Sequence, residues 1–102
     1  MTNKKRNKAE INGKVGYIII EDDKVIVDRE DLFRVLFKGR WFINKQSSGT
    51  LVRGPGSPGI YLGKFILDDF RPNTVIRHNN GRWNDFRKKN LYAEESDRHY
   101  GR

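Results

Sequence analysis

The run Gly54-Pro55-Gly56-Ser57-Pro58-Gly59 constrains this chain more than any other feature. Proline fixes φ and lacks an amide proton, and glycine has no side chain to pack, so neither a helix nor a central strand crosses this segment. The sequence therefore divides at a 54–59 linker into a β-rich half over 11–53 and a second half over 60–102 sharing one small core. Two readings stay open for the linker: a plain connector, or a loop whose glycines bring backbone close to a ligand. Only 35% of the 102 residues are hydrophobic, so the core is thin and the two Trp, four Tyr and six Phe must supply much of its bulk.

Residues 1–10 hold Lys4, Lys5, Arg6 and Lys8 with almost nothing apolar, which predicts a disordered basic arm. The β-branched runs 14–20 and 24–27, separated by Glu21-Asp22-Asp23, predict two strands and a tight turn. Asp28 reads as the cap of a helix over 29–38, with Asp31 in its first turn and Val27 and Leu32 as a staple. Leu32, Phe33, Val35, Leu36 and Phe37 form its apolar stripe, and Gly39 is its stop. A hairpin over 40–45 and 50–53 follows, turning at Ser47-Ser48-Gly49, with Trp41 in the core.

Beyond the linker, Leu62, Phe65, Ile66 and Phe70 fall on one face of a helix over 60–70, which Pro72 terminates. A strand over 74–77, a polar turn over 78–85, a strand over 91–93 and a short helix over 94–100 complete the chain. The fold class expected is α+β: a small antiparallel sheet with one packed helix, followed by a ββα hairpin-helix unit.

Charge narrows the function. Twenty-one Lys and Arg against 13 Asp and Glu leave a formal +8, which attracts phosphate polymers through counterion release, or the acidic face of a partner protein. With no cysteine, disulfides and thiolate metal sites are excluded, in keeping with a reducing compartment. No apolar run has the length of a membrane-spanning helix, and residues 1–10 are too polar for a secretory segment. A cytoplasmic protein without a membrane partner is expected.

His78, Asn90 and His99 carry the candidate chemistry. A histidine ending a strand serves as a general base if its ring is held in one tautomer, and an asparagine on a facing loop can provide that orientation. A histidine on the following helix offers a neutral nitrogen to a divalent metal that steadies a scissile phosphate. The bland alternative is a turn asparagine and two surface histidines.

Three stretches, 60–67, Val75-Ile76-Arg77-His78-Asn79-Asn80-Gly81 and Asn84-Asp85-Phe86-Arg87-Lys88-Lys89-Asn90-Leu91, resemble the HNH homing-endonuclease family common in bacteriophages. The segments from Val25 to Asp28 and on through Gly39 to Ile43 also look like the domain that often precedes this motif in small phage proteins, which are described as HNH or AP2-like. The resemblance implies an HNH-like ββα unit, His78 as general base, Asn90 as its orienting residue and His99 as a metal ligand for Mg2+ or another divalent ion. Arg77, however, stands where the family places a further metal ligand, and a guanidinium has no acceptor and repels a cation. Gly63 replaces a frequent family histidine, and Phe86 replaces a family asparagine. The functional expectation is a degenerate HNH-like protein that binds double-stranded DNA without efficient cleavage. Arg77, Arg82, Arg87, Lys88, Lys89 and Arg98 are its candidate nucleic-acid contacts, with Trp83 interleaved and Phe86 in the core. The alternatives are an active metal-dependent nicking endonuclease, and an inhibitor or adaptor of a host protein.

Overall fold

A computed structural model describes residues 6–57 and 59–96. Strands β1 (Lys8–Asn12), β2 (Val15–Ile20) and β3 (Asp23–Asp28) form an antiparallel meander in that order. Alternation along β2 and β3 turns Ile18, Ile20, Val25 and Val27 to one face, where α1 (Arg29–Lys38) covers them with Leu32 and Val35. The β2–β3 turn is tight because Glu21 takes a positive φ of 57°. The helix spans the residues expected of it, but Asp28 does not cap it through its side chain. That carboxylate instead accepts the Lys88 amide at 2.8 Å.

Strands β4 (Phe42–Gln46) and β5 (Gly49–Arg53) pair as a second antiparallel sheet, and β6 (Thr74–His78) and β7 (Leu91–Glu95) as a third. Between them lies the short helix α2 (Leu62–Leu67). Trp41 sits in the common core with its indole N–H donated to the Val35 carbonyl at 2.8 Å. The molecule is thus a small α+β protein with antiparallel sheets and one main helix.

The linker does more than connect. Gly54 donates its N–H to the Ile60 carbonyl at 2.8 Å, and Arg53 bridges to Tyr61, so the 54–59 loop is pinched shut at its base. Gly54 lies so close to Trp41 that a Cβ there would stand 2.5 Å from the ring. This pairing also shortens α2, because Tyr61 is extended before it and Asp68 ends it in the left-handed conformation. Arg34 of α1 donates to the carbonyls of Phe65 and Ile66 at 3.2 and 2.8 Å, satisfying the C-terminal end of α2 and tying the helices together.

Two expectations change. The basic arm is ordered from its second half: Asn7 exchanges two hydrogen bonds with the Trp41 backbone, and β1 pairs with β2 along its length. Every side chain of β1 is exposed, so main-chain pairing rather than apolar burial holds it. Residues 1–5 lie outside the described residues. The helix expected over 94–100 does not begin where its acidic start suggested, since Glu94 and Glu95 belong to β7 and face Val75 and Thr74. Those two β6 residues need backbone partners, and the hairpin supplies them. The remainder of that helix, with Arg98 and His99, lies outside the described residues.

Candidate functional site

The connection from β6 to β7, residues 79–90, carries the chemistry the sequence singles out. Its main chain docks on the free edge of β3: Ile26 donates to Asn84 at 2.8 Å and Phe86 donates to Ile26 at 2.7 Å. The Asn84 side chain adds a bond to the Lys24 carbonyl at 2.9 Å. A polar loop that would otherwise wander is thereby held as an extension of the first sheet.

Within it, His78 opens a turn closed by the Gly81 N–H on the His78 carbonyl at 3.0 Å. His78 Nδ1 lies 3.0 Å from the Asp85 carbonyl oxygen. A carbonyl only accepts, so Nδ1 carries the proton and Nε2 presents a lone pair. The ring packs edge-on against buried Phe86, with centroids 4.7 Å apart. Burial pushes the imidazole below its usual value and so favours the neutral ring, an effect partly offset by the hydrogen bond to the Asp85 carbonyl and by the Asp85 charge.

Asn90 is buried, and its side-chain hydrogen bonds go to the loop rather than to the imidazole. Its Nδ2 donates to the same Asp85 carbonyl and to Asn80 Oδ1, both at 3.0 Å, while its Oδ1 accepts the Asn80 N–H at 2.9 Å. Asn90 and His78 are linked through the Asp85 carbonyl, which both side chains contact at 3.0 Å. Asp85 is the residue that sequence reasoning missed. Its buried carboxylate accepts from Arg87 Nε at 2.8 Å, Arg87 Nη2 at 2.6 Å and Asn80 Nδ2 at 2.9 Å. The Arg87 guanidinium holds this carboxyl down to about 2. The signal was present as an Asp-x-Arg pattern, and Asp69 and Arg71 repeat the same forked geometry.

The candidate nucleic-acid contacts separate into two groups. Arg87 is spent on Asp85, and Lys88 bonds Glu30 at 2.6 Å and approaches Asp31 at 3.2 Å, so both bind the loop to the protein itself. Trp83 is half-buried against the core. Arg82 and Lys89 are exposed, and neither side chain has an acidic partner among the described residues. Arg77 is also exposed, 3.4 Å from exposed Glu94, a pairing worth little in water. Strand alternation places Thr74, Ile76 and His78 inward and Val75 and Arg77 outward, so the Arg77 guanidinium and the His78 ring occupy opposite faces of the hairpin.

A divalent metal does not fit His78 among the described residues. The position before it supplies a guanidinium turned away, and both oxygens of Asp85 are taken. The one cluster of metal-capable side chains among the described residues is Asp28, Glu30 and Asp31 at the start of α1. There the Lys88 ammonium already supplies the positive charge.

His78 also lines a groove of about 320 Å3 between the β4–β5 hairpin, α2 and β6. In comparisons with known proteins, no family model, no curated protein and no solved structure matches this chain.

Proposed function

We propose that this chain is a nucleic-acid-binding protein, engaging DNA through the β6–β7 loop, and that the loop is a non-cleaving relative of the HNH hairpin. One observation carries the binding. The loop buries its own carboxylate, Asp85, in an internal ion pair while Arg82 and Lys89 stay exposed without acidic partners among the described residues, so its outer surface is positive. Phosphates meet such a surface without displacing an internal salt bridge. The lack of cleavage follows from the donor set: His78 keeps a base-like Nε2, but nothing described beside it offers a second ligand for the metal that HNH chemistry requires.

The test pairs binding with cutting. Anisotropy of a labelled duplex should rise on titration with the protein at low salt, equally in chelator and in magnesium. Supercoiled plasmid should stay intact with magnesium or manganese. Nicking that disappears in His78→Ala would replace this reading with that of an active endonuclease.

A protein partner is the second reading, favoured by the exposed pair Phe33 and Phe37 on α1, stacked with centroids 6.2 Å apart. Exposed apolar surface of this kind marks interaction sites. Recovery of one host protein from nuclease-treated lysate by the native chain, lost in Phe33→Ser/Phe37→Ser, together with no affinity for DNA, would favour it.

A further inference from the structure

We infer that the groove beneath His78 is a nucleotide pocket, taking a flat heterocyclic base that donates an N–H to His78 Nε2 and directs its phosphate to Lys64. The inference takes its ligand class from the nucleic-acid reading above and adds a site to it.

The groove's shape and lining select this chemistry. At about 320 Å3 it lies near the lower end of the roughly 300–1,000 Å3 typical of small-molecule sites. Its walls include the core side chains Val52, Leu62 and Phe86, suited to the face of a ring. On the α2 side the wall is backbone at Gly63, where a Cβ would come within 2.9 Å of Ile76 Cγ2. The carbonyl of Asp85 fixes Nδ1 as the protonated nitrogen, so the one acceptor that His78, a lining residue, can offer an occupant of this largely apolar space is Nε2. An alkyl chain would strip water from Nε2 and return no hydrogen bond, which is costly. A carboxylate or phosphate against Nε2 would set acceptor against acceptor. The occupant must therefore bring a donor, as the amino groups of adenine, cytosine and guanine do.

The charge sits elsewhere in the same lining. Lys64 lines the groove with no carboxylate within ion-pair distance among the described residues, Asp69 outside the groove being the acidic group that feels its charge, and no carboxylate residue lines it. Tyr61, also in the lining, carries the Arg53 guanidinium 5.1 Å from its ring centroid. An anion beside the base is thus favoured and a cationic ligand is not. A free nucleotide and a base unstacked from a strand present the same chemistry, at the usual cost of unstacking for the latter.

The experiment is an NMR titration of the full labelled chain with AMP, ribose 5-phosphate and a short single-stranded oligonucleotide with or without one abasic position. AMP should saturably shift His78, Ile76 and Lys64, and ribose 5-phosphate should not. His78→Phe keeps the ring against Phe86 and leaves the Asp85 carbonyl its Asn90 donor, and should weaken AMP about fivefold to tenfold. The bulkier Thr50→Trp should block the groove. Equal shifts from AMP and ribose 5-phosphate, or unchanged AMP affinity in both variants, would overturn the pocket. An oligonucleotide bound equally well by the native chain and the two variants, with no response to AMP, overturns the pocket while leaving the nucleic-acid reading intact. AMP binding without any oligonucleotide binding supports the pocket, with a free nucleotide as its ligand, and overturns that reading instead.

Discussion

Arg87→Ala should destabilise the protein rather than simply weaken its hold on phosphate. The Asp85 side chain is 2% exposed and receives two bonds from the Arg87 guanidinium, at 2.8 and 2.6 Å. Removing one partner of a buried pair costs about 3–5 kcal/mol, because a desolvated charge remains. Asn80 Nδ2 and the backbone N–H of residue 87 continue to donate to Asp85, which places the expected loss near the lower bound, about 3 kcal/mol. The pH dependence gives a separate measure. Asp85 falls from 3.8 to about 2 on folding, which at roughly 1.4 kcal/mol per tenfold change in proton affinity corresponds to about 2.5 kcal/mol. Because the folded value is depressed, that contribution is complete above pH 3.8 and is lost as pH falls through about 2. Urea unfolding followed by tryptophan fluorescence should therefore show a large gap between native and Arg87→Ala at pH 7 that narrows towards pH 2. Replacing both partners, Asp85→Asn with Arg87→Ala, should cost less than Arg87→Ala alone. An unchanged midpoint for Arg87→Ala at pH 7, or a gap that persists in acid, would refute the reasoning.

Three further outcomes follow from the same geometry. Asn90→Ala removes three loop hydrogen bonds and should cost roughly 2–3 kcal/mol, with faster hydrogen exchange at the Asn80 amide as its local sign. Gly63→Ala drives a methyl to 2.9 Å from Ile76 Cγ2 and should cost about 1–3 kcal/mol, in part recovered by Ile76→Val, as denaturant midpoints will tell. The His78 imidazole should titrate below 6.5 with its neutral form protonated on Nδ1, as NMR reads directly. Since the folded value is lowered, this group removes stability as pH falls from 6.5 to that lower value, and adds no further change below it.

Much of the fold was legible because its elements obey local rules. The β2–β3 hairpin announces itself through β-branched runs around an acidic turn, and α1 through its apolar stripe and Gly39. β1 was not legible: Lys8-Ala9-Glu10-Ile11-Asn12 has no apolar alternation, and its order comes from pairing with β2 and from Asn7 bonding Trp41 across the chain. The limits of α2 likewise depend on a bridge between residues 53 and 61 that no local pattern reveals.

The candidate site was legible in membership more than in wiring. His78 and Asn90 do come together, yet the group that joins them is a backbone carbonyl, which carries no sequence signature. Arg87 and Lys88 looked like surface cations in a basic run. Their internal roles depend on Asp85 folding back two residues and on α1 presenting Glu30 and Asp31 from the other half of the chain. A charge count has no access to that difference between spent and available cations.

The difference also supplies the most direct test of the account. The logarithm of DNA affinity should fall linearly with the logarithm of salt concentration, unchanged by chelator. Replacing both Arg82 and Lys89 by alanine should flatten that slope by about two, at ~0.9 per phosphate contact, while Trp fluorescence shows the fold intact. No measurable affinity at low salt, or a slope unmoved by the double replacement, would contradict a nucleic-acid surface built on the β6–β7 loop.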